Sequence, residues 1–190
     1  MRNVVGSVLL LGAIAVTRLA AQTAPPPQGR FDAAFTYNPM RSNVVGSGGF
    51  WMQGASAQAE VRLTHGLGVA ADIGGLHTGN INSSGVGLDM ITYTFGPRYA
   101  WSPARHKVSF YGQGLVGGAH GFNGLFPHAA APQASASSLA VLAGGGFDAT
   151  LSPHLALRVI EADWLRTQLP NSTTGVQNNL RLGAGLVFHF

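Results

Sequence analysis

The sequence predicts an all-β fold, an eight-stranded antiparallel up-and-down transmembrane β-barrel, from three observations. Apolar residues alternate with polar or small ones from Phe31 to the last residue, which is the strand period of two. Long polar connections alternate strictly with short ones, the pattern of a barrel with tight periplasmic turns and larger extracellular loops. Only 9% of the 190 residues are charged and 27 are glycine, whereas a soluble domain is about 25% charged. A soluble surface is hard to build from that composition.

The chain opens with a basic start, Met1-Arg2, an apolar run from Val4 to Val16 and Leu19-Ala20-Ala21, which offers small residues for cleavage before Gln22. Residues 1–21 therefore read as a secretory signal peptide. The run falls short of the ~18 to 20 residues that cross a bilayer as a helix, and Arg18 ends it. Residues 22–30, with Ala24-Pro25-Pro26-Pro27, read as an extended N-terminal segment, and 31–190 as the barrel domain. Without Arg2 and Arg18, nine basic residues face seven acidic ones, a balance that does not point to nucleic acid. The 46% hydrophobic content excludes a disordered chain. The absence of cysteine excludes disulfides and thiolate metal sites.

The strands follow in order. Phe31, Ala33, Phe35 and Tyr37 share one face, with Asp32, Ala34 and Thr36 on the other. Ala55 to Leu63 alternates with Ser56, Gln58, Glu60 and Arg62; its good helix formers make helix the competing reading, which the neighbouring strands outweigh. Val69, Ala71 and Ile73 oppose Asp72, and Ile91 to Tyr99 opposes Thr92, Thr94, Gly96 and Arg98. Val108 and Phe110 oppose Ser109, Tyr111 and Gln113; Val141 to Leu151 opposes Asp148 and Thr150; Leu155, Leu157 and Val159 oppose Arg158. The last strand sets Leu180, Leu182, Ala184, Leu186, Phe188 and Phe190 against Asn179, Arg181 and His189. Short turns fall at 64–66, 102–107 and 152–154; long loops fall at 38–49, 77–87, 120–137 and 168–177.

Charge decides which face meets lipid. Asp32, Glu60, Arg62, Asp72, Arg98, Asp148, Arg158 and Arg181 all fall on the polar parity, so they are expected to form a lumenal charge network while the apolar face meets hydrocarbon. A soluble ligand-carrying barrel would invert this and need a densely charged exterior. An eight-stranded barrel is just wide enough to be filled by side chains, so the lumen is expected to be plugged. A hairpin symmetric about Pro153 pairs Leu151 with Leu155, Ala149 with Leu157 and Asp148 with Arg158, predicting an interior salt bridge. Glu161 and Asp163 share Arg158's face only if an extra residue intervenes, which predicts a bulge near Val159 to Glu161. Phe31, Tyr99, Trp101 and Phe110 near the short turns, and Tyr37, Trp51 and Trp164 near the long loops, read as two interfacial girdles.

With these features the chain resembles the small outer-membrane β-barrel family of the OmpA/OmpX kind, from about Phe31 to Phe190. The resemblance rests on the alternating end, Leu180-Arg181-Leu182-Gly183-Ala184-Gly185-Leu186-Val187-Phe188-His189-Phe190, which is similar to the family's terminal assembly signal through Leu186, Phe188 and Phe190. Phe95-Gly96-Pro97-Arg98-Tyr99, Gly144-Gly145-Gly146-Phe147-Asp148, Leu157-Arg158 and Asp163-Trp164 also look like family strand motifs. The resemblance implies the bacterial outer membrane and insertion by the outer-membrane barrel assembly machinery; it does not imply a catalytic activity, and because the sequence ends with the barrel, the peptidoglycan-binding domain of longer members is not expected.

Other motifs carry little chemistry. Gly112-Gln113-Gly114-Leu115-Val116-Gly117 matches a dinucleotide-binding pattern, but no helix and no later acid accompany it. His77-Thr78-Gly79 is similar to the His–Ser pair of outer-membrane lipid A deacylases, with Gly79 where the nucleophile would stand. His65, His106, His154 and His189 gather at the short-turn end without metal-ligand spacing, and Arg105, His106 and Lys107 suit lipid headgroups or a solvated turn. The expectation is a monomeric barrel without metal or cofactor, in contact with outer-membrane lipids, acting structurally or through loops that meet an unidentified extracellular ligand. A narrow channel is the alternative, and a lipid-modifying enzyme the third reading.

Overall fold

The computed structural model describes residues 30–43, 48–103, 107–129, 131–171 and 174–190. The expected signal peptide, residues 22–29, Arg105 and His106 lie outside the described residues. The strands are β1 (Phe31–Tyr37), β2 (Met40–Ser42), β3 (Phe50–Thr64), β4 (Leu67–Thr78), β5 (Leu88–Trp101), β6 (Val108–Phe122), β7 (Ala136–Ser152), β8 (Leu155–Thr167) and β9 (Gln177–His189). Both β1 and β2 pair with β3 on one side and β9 on the other, so they are two parts of one stave broken at Asn38-Pro39. Proline has no amide to give to a ladder, and this one accounts for the break. All neighbours are antiparallel, and the β1–β9 pairing closes eight staves into a barrel without an edge. Closure is what hydrocarbon requires, since an unpaired backbone group there costs several kcal/mol.

Of four local expectations, the strand at 55–63 and the bulge near Val159 hold, whereas the loop bounds and the symmetry of the β7–β8 hairpin change. Ala55 to Leu63 lies within β3 and is strand throughout, because its backbone groups serve the ladders to β1 and β4. The staves run further into the predicted loops than composition indicated: β2 lies inside 38–49, β4 reaches Thr78, β6 reaches Phe122 and β7 begins at Ala136. In the β7–β8 hairpin Asp148 faces Arg158 and Ala149 faces Leu157, but Leu155 faces Ser152, and Leu151 is the extra residue of an irregularity. A second register shift leaves Val159 unpaired, between Phe147–Ile160 and Asp148–Arg158. That bulge turns both Glu161 and Asp163 inward.

The interior has two layers. Towards the long loops it is apolar: Met40, Met52, Met90, Leu115, Leu142 and Leu165 are wholly or almost wholly buried. Phe126, from the connection between β6 and β7, joins this layer, held by paired backbone hydrogen bonds with Gln133 of 2.8 and 2.9 Å. Its ring lies against Gly121, where any Cβ would press into it. Towards the short turns the interior is polar and ionised. The sequence reading anticipated only this second layer. Outside, Phe35, Ile73, Phe95, Val116 and Leu139 are exposed, as a lipid-facing wall demands.

Candidate functional site

Six of the seven acidic residues turn into the barrel: Asp32, Glu60, Asp72, Asp148, Glu161 and Asp163. Alternate inward positions on different staves bring them to four arginines. Arg158 holds Asp148 through two parallel bonds, Nε to Oδ1 at 3.0 Å and Nη2 to Oδ2 at 3.3 Å. Its Nη1 donates to Glu161 at 2.7 Å and to Gln58 at 3.0 Å. Arg181 reaches Asp72 at 2.8 Å, Asp163 at 2.7 Å and Glu161 at 3.3 Å. Arg98 pairs with Glu60 at 3.0 Å and donates to Gln58.

The guanidinium carbons of Arg98 and Arg158 stand 3.6 and 4.5 Å from the Tyr111 ring centre, and the Tyr111 hydroxyl donates to Glu161 at 2.5 Å. Cation–π contact and charge-assisted hydrogen bonds offset much of the desolvation of these groups, although Glu60 Oε1 and Arg98 Nε are buried without a hydrogen bond. Room for these long side chains comes from glycine. A Cβ at Gly146 would lie 2.9 Å from the Tyr111 hydroxyl, and one at Gly144 would strike the Asp163 carboxylate. Gln58, Tyr111, Gln113, Glu161 and Asp163 join the cluster beyond the eight charged residues expected on the polar parity. Their inward parity in β3, β6 and β8 was the signal available.

At the short-turn end Arg62 donates to Asp32, and His189 Nδ1 lies 2.7 Å from the other Asp32 oxygen. These contacts join β1, β3 and β9 across the closing seam. The gap between Asp32, Gln58, Glu60, Arg98 and Arg158 has no room for a water molecule. This salt-bridged layer lies beneath the apolar layer of Met40, Met52, Met90, Leu115, Leu142 and Leu165.

The aromatics lie on the outer wall at two heights. Phe31 and Phe190 are 5.8 Å apart, as are Trp101 and Phe110, at the short-turn end. Tyr99 is exposed beside them. Tyr37, Trp51 and Trp164 are exposed towards the long loops. Leu186 and Phe188 of β9 face outward, Phe188 in edge contact with Phe35 across the seam.

On the extracellular rim His77 Nδ1 is 2.5 Å from Asp89, whose second oxygen accepts from Asn123 at 2.5 Å. A Cβ at Gly79 would stand 3.7 Å from His77 Nε2, so the position beside the imidazole is occupied by a residue without a hydroxyl. Separately, the exposed Ser137 hydroxyl lies 2.7 Å from His120 Nδ1. Among the described residues no carboxylate contact orients that imidazole. Among the described residues no three metal-ligating side chains converge.

An edgeless barrel with an ionised filling, an apolar wall and two aromatic bands defines a membrane-spanning β-barrel protein. The chain belongs to the outer membrane protein beta-barrel domain family, whose model matches residues 6–190, and it resides in the bacterial outer membrane. Its structure is similar to that of Neisserial surface protein A, with a TM-score of 0.62 and 15% identity over 84% of this chain and 97% of that one. It is also similar to Ail, the attachment invasion locus protein of Yersinia pestis, with a TM-score of 0.54 and 20% identity over 84% of this chain and 99% of that one. A second structure of Ail, in complex with the heparin analogue sucrose octasulfate, has a TM-score of 0.53 at 19% identity, covering 84% of this chain and 99% of that one. No curated protein matches the chain.

Proposed function

We propose that the protein is a sealed scaffold, monomeric and non-catalytic, that acts structurally or through the surface loops it displays outside the cell. The observation that carries this reading is the filling: an apolar layer capped by Phe126 over a salt-bridged layer whose gap among Asp32, Gln58, Glu60, Arg98 and Arg158 has no space for water. A filling of that kind supports display, since function on a rigid barrel resides in the loops. Residues 1–21 act as the export signal in this reading, and Leu186, Phe188 and Phe190 as the mark read by the barrel assembly machinery. Likeness to Ail and Neisserial surface protein A, at the identities found, supports the scaffold and names no ligand.

Single-channel recording in planar bilayers tests it. The refolded protein is expected to give no sustained conductance steps, because permeation would require both the apolar layer and the ion pairs to rearrange. Sustained steps would establish the channel reading instead. Fatty-acid release from lipid A that disappears in His77→Ala would establish the enzyme.

A further inference from the structure

Interior and exterior arginines are treated differently by this fold. Arg62, Arg98, Arg158 and Arg181 each meet a carboxylate inside. Arg41 and Arg166 project from the outer faces of β2 and β8, and among the described residues neither has a carboxylate within ion-pair distance. Both flank the extracellular end of β9: Arg41 is level with Leu180, and Arg166 with Asn178 one outward step higher.

Arg41 lies in a row of outward residues, between Trp51 on β3 and Leu180 on β9, with Trp164 next on β8. Those three are 47%, 48% and 43% exposed, so a broad apolar surface surrounds the charge. The Arg41 guanidinium is also held in place. It lies along Gly49, where a Cβ would come within 2.8 Å of Nε, and stands 6.0 Å from the Trp51 ring. Two strand spacings of ~4.8 Å and one two-residue step of ~7 Å put the two arginine Cα atoms roughly 12 Å apart. Two extended arginines at that separation can converge on one small anion.

An outward arginine at mid-bilayer is costly, but at the interface the cost falls almost to nothing and the head can reach the polar layer. Forked guanidinium donors match phosphate oxygens. We propose that Arg41 and Arg166 form a binding site for the phosphate-bearing headgroup of an outer-leaflet lipid, whose acyl chains lie on Trp51, Leu180 and Trp164. Sulfated glycan is the competing anion. The lipid is favoured because the arginines stand on the wall among tryptophans, at the height of the girdle. The site rests on the outer-membrane location and is independent of what the loops do.

The test uses the full mature barrel refolded in micelles containing lipid A, with bound lipid counted by native mass spectrometry. The variants are Arg41→Gln/Arg166→Gln, Arg41→Lys/Arg166→Lys, and Arg30→Gln, which removes an exposed cation at the other end. Folding of each is checked by its gel mobility before heating. The double glutamine variant is expected to retain about tenfold less lipid A, from the loss of charge-assisted bonds. The double lysine variant, which keeps charge but not the forks, is expected to fall in between, and Arg30→Gln to match the wild type. Dephosphorylated lipid A should bind weakly to all four proteins. Equal retention by the glutamine variant and the wild type overturns the proposal. So does a result in which that variant loses binding to heparin while keeping lipid A.

Discussion

Arg181→Ala is expected to lower the unfolding free energy of the micelle-embedded barrel by about 3 to 5 kcal/mol, the largest loss from any single side-chain truncation in the network. Arg181 bridges Asp72 on β4, Glu161 and Asp163 on β8, and its own stave β9, with every partner buried. Truncation removes the cation that Asp72, Asp163 and Glu161 share; Glu161 keeps Arg158 and Tyr111, whereas Asp72 and Asp163 lose their arginine while buried. The penalty comes chiefly from the stranded charges. Urea unfolding followed from both directions measures it. Arg30→Ala, at an exposed position, is expected to change stability by less than about 0.5 kcal/mol. If Arg181→Ala were equally mild, the interior network would not be holding β4, β8 and β9 together.

Gly185→Val is expected to impair closure of the barrel itself. Gly185 faces Thr36 across the β1–β9 seam, and a Cβ there would collide with the Phe35 carbonyl oxygen and come within 2.7 Å of the Thr36 Cα. The obstructing atoms are backbone, so relief requires one stave to move away from the other. Overpacking ordinarily costs about 1 to 3 kcal/mol, and a seam that cannot relax without losing ladder bonds stands at the upper end. Gly114→Val is the matched control: nothing lies near its missing Cβ, and a β-branched residue suits an exposed strand position. The fraction refolded, read from mobility on unheated gels, is expected to drop sharply for Gly185→Val and to stay at the wild-type level for Gly114→Val. Equal refolding of the two would mean that the seam tolerates a side chain.

The staves were legible because charge labels one face of most of them. Once Asp72, Arg98 or Arg181 marks the inward parity, every second residue on that strand is assigned. The extra residue at Val159 was legible for the same reason, since Glu161 and Asp163 could not otherwise leave the hydrocarbon. The apolar upper layer was not. Leu142 shares the inward parity of Asp148 and Leu165 that of Asp163, so their side could be read, but parity says nothing of height, and only the ladder gathers them with Met40, Met52, Met90 and Leu115 into one layer above the ions. Phe126 sits in a stretch whose glycine, proline and alanine content reads as open loop; only its pairing with Gln133 and the space left by Gly121 put it in the mouth. The Leu151 irregularity escaped because hairpin symmetry is a geometric default, and a tight Ser152-Pro153-His154 turn shifts it by one residue. The outward arginines were visible as residues but not as a pair, because β2 lay inside a predicted loop and the register that brings Arg41 and Arg166 to either side of β9 comes from the ladder alone.

The most direct test is the orientation of leucines that differ only in the face they occupy. In nanodiscs with protonated acyl chains, nuclear Overhauser contacts from lipid methylenes to leucine methyls separate the two sides of the wall. Leu139, Leu180 and Leu186, which are exposed, are expected to show strong contacts; Leu115, Leu142 and Leu165, which are buried within the barrel, are expected to show none. Lipid contacts to Leu115, Leu142 and Leu165, with Leu139 and Leu186 silent, would contradict a barrel that carries its ions inside and its apolar wall in the membrane.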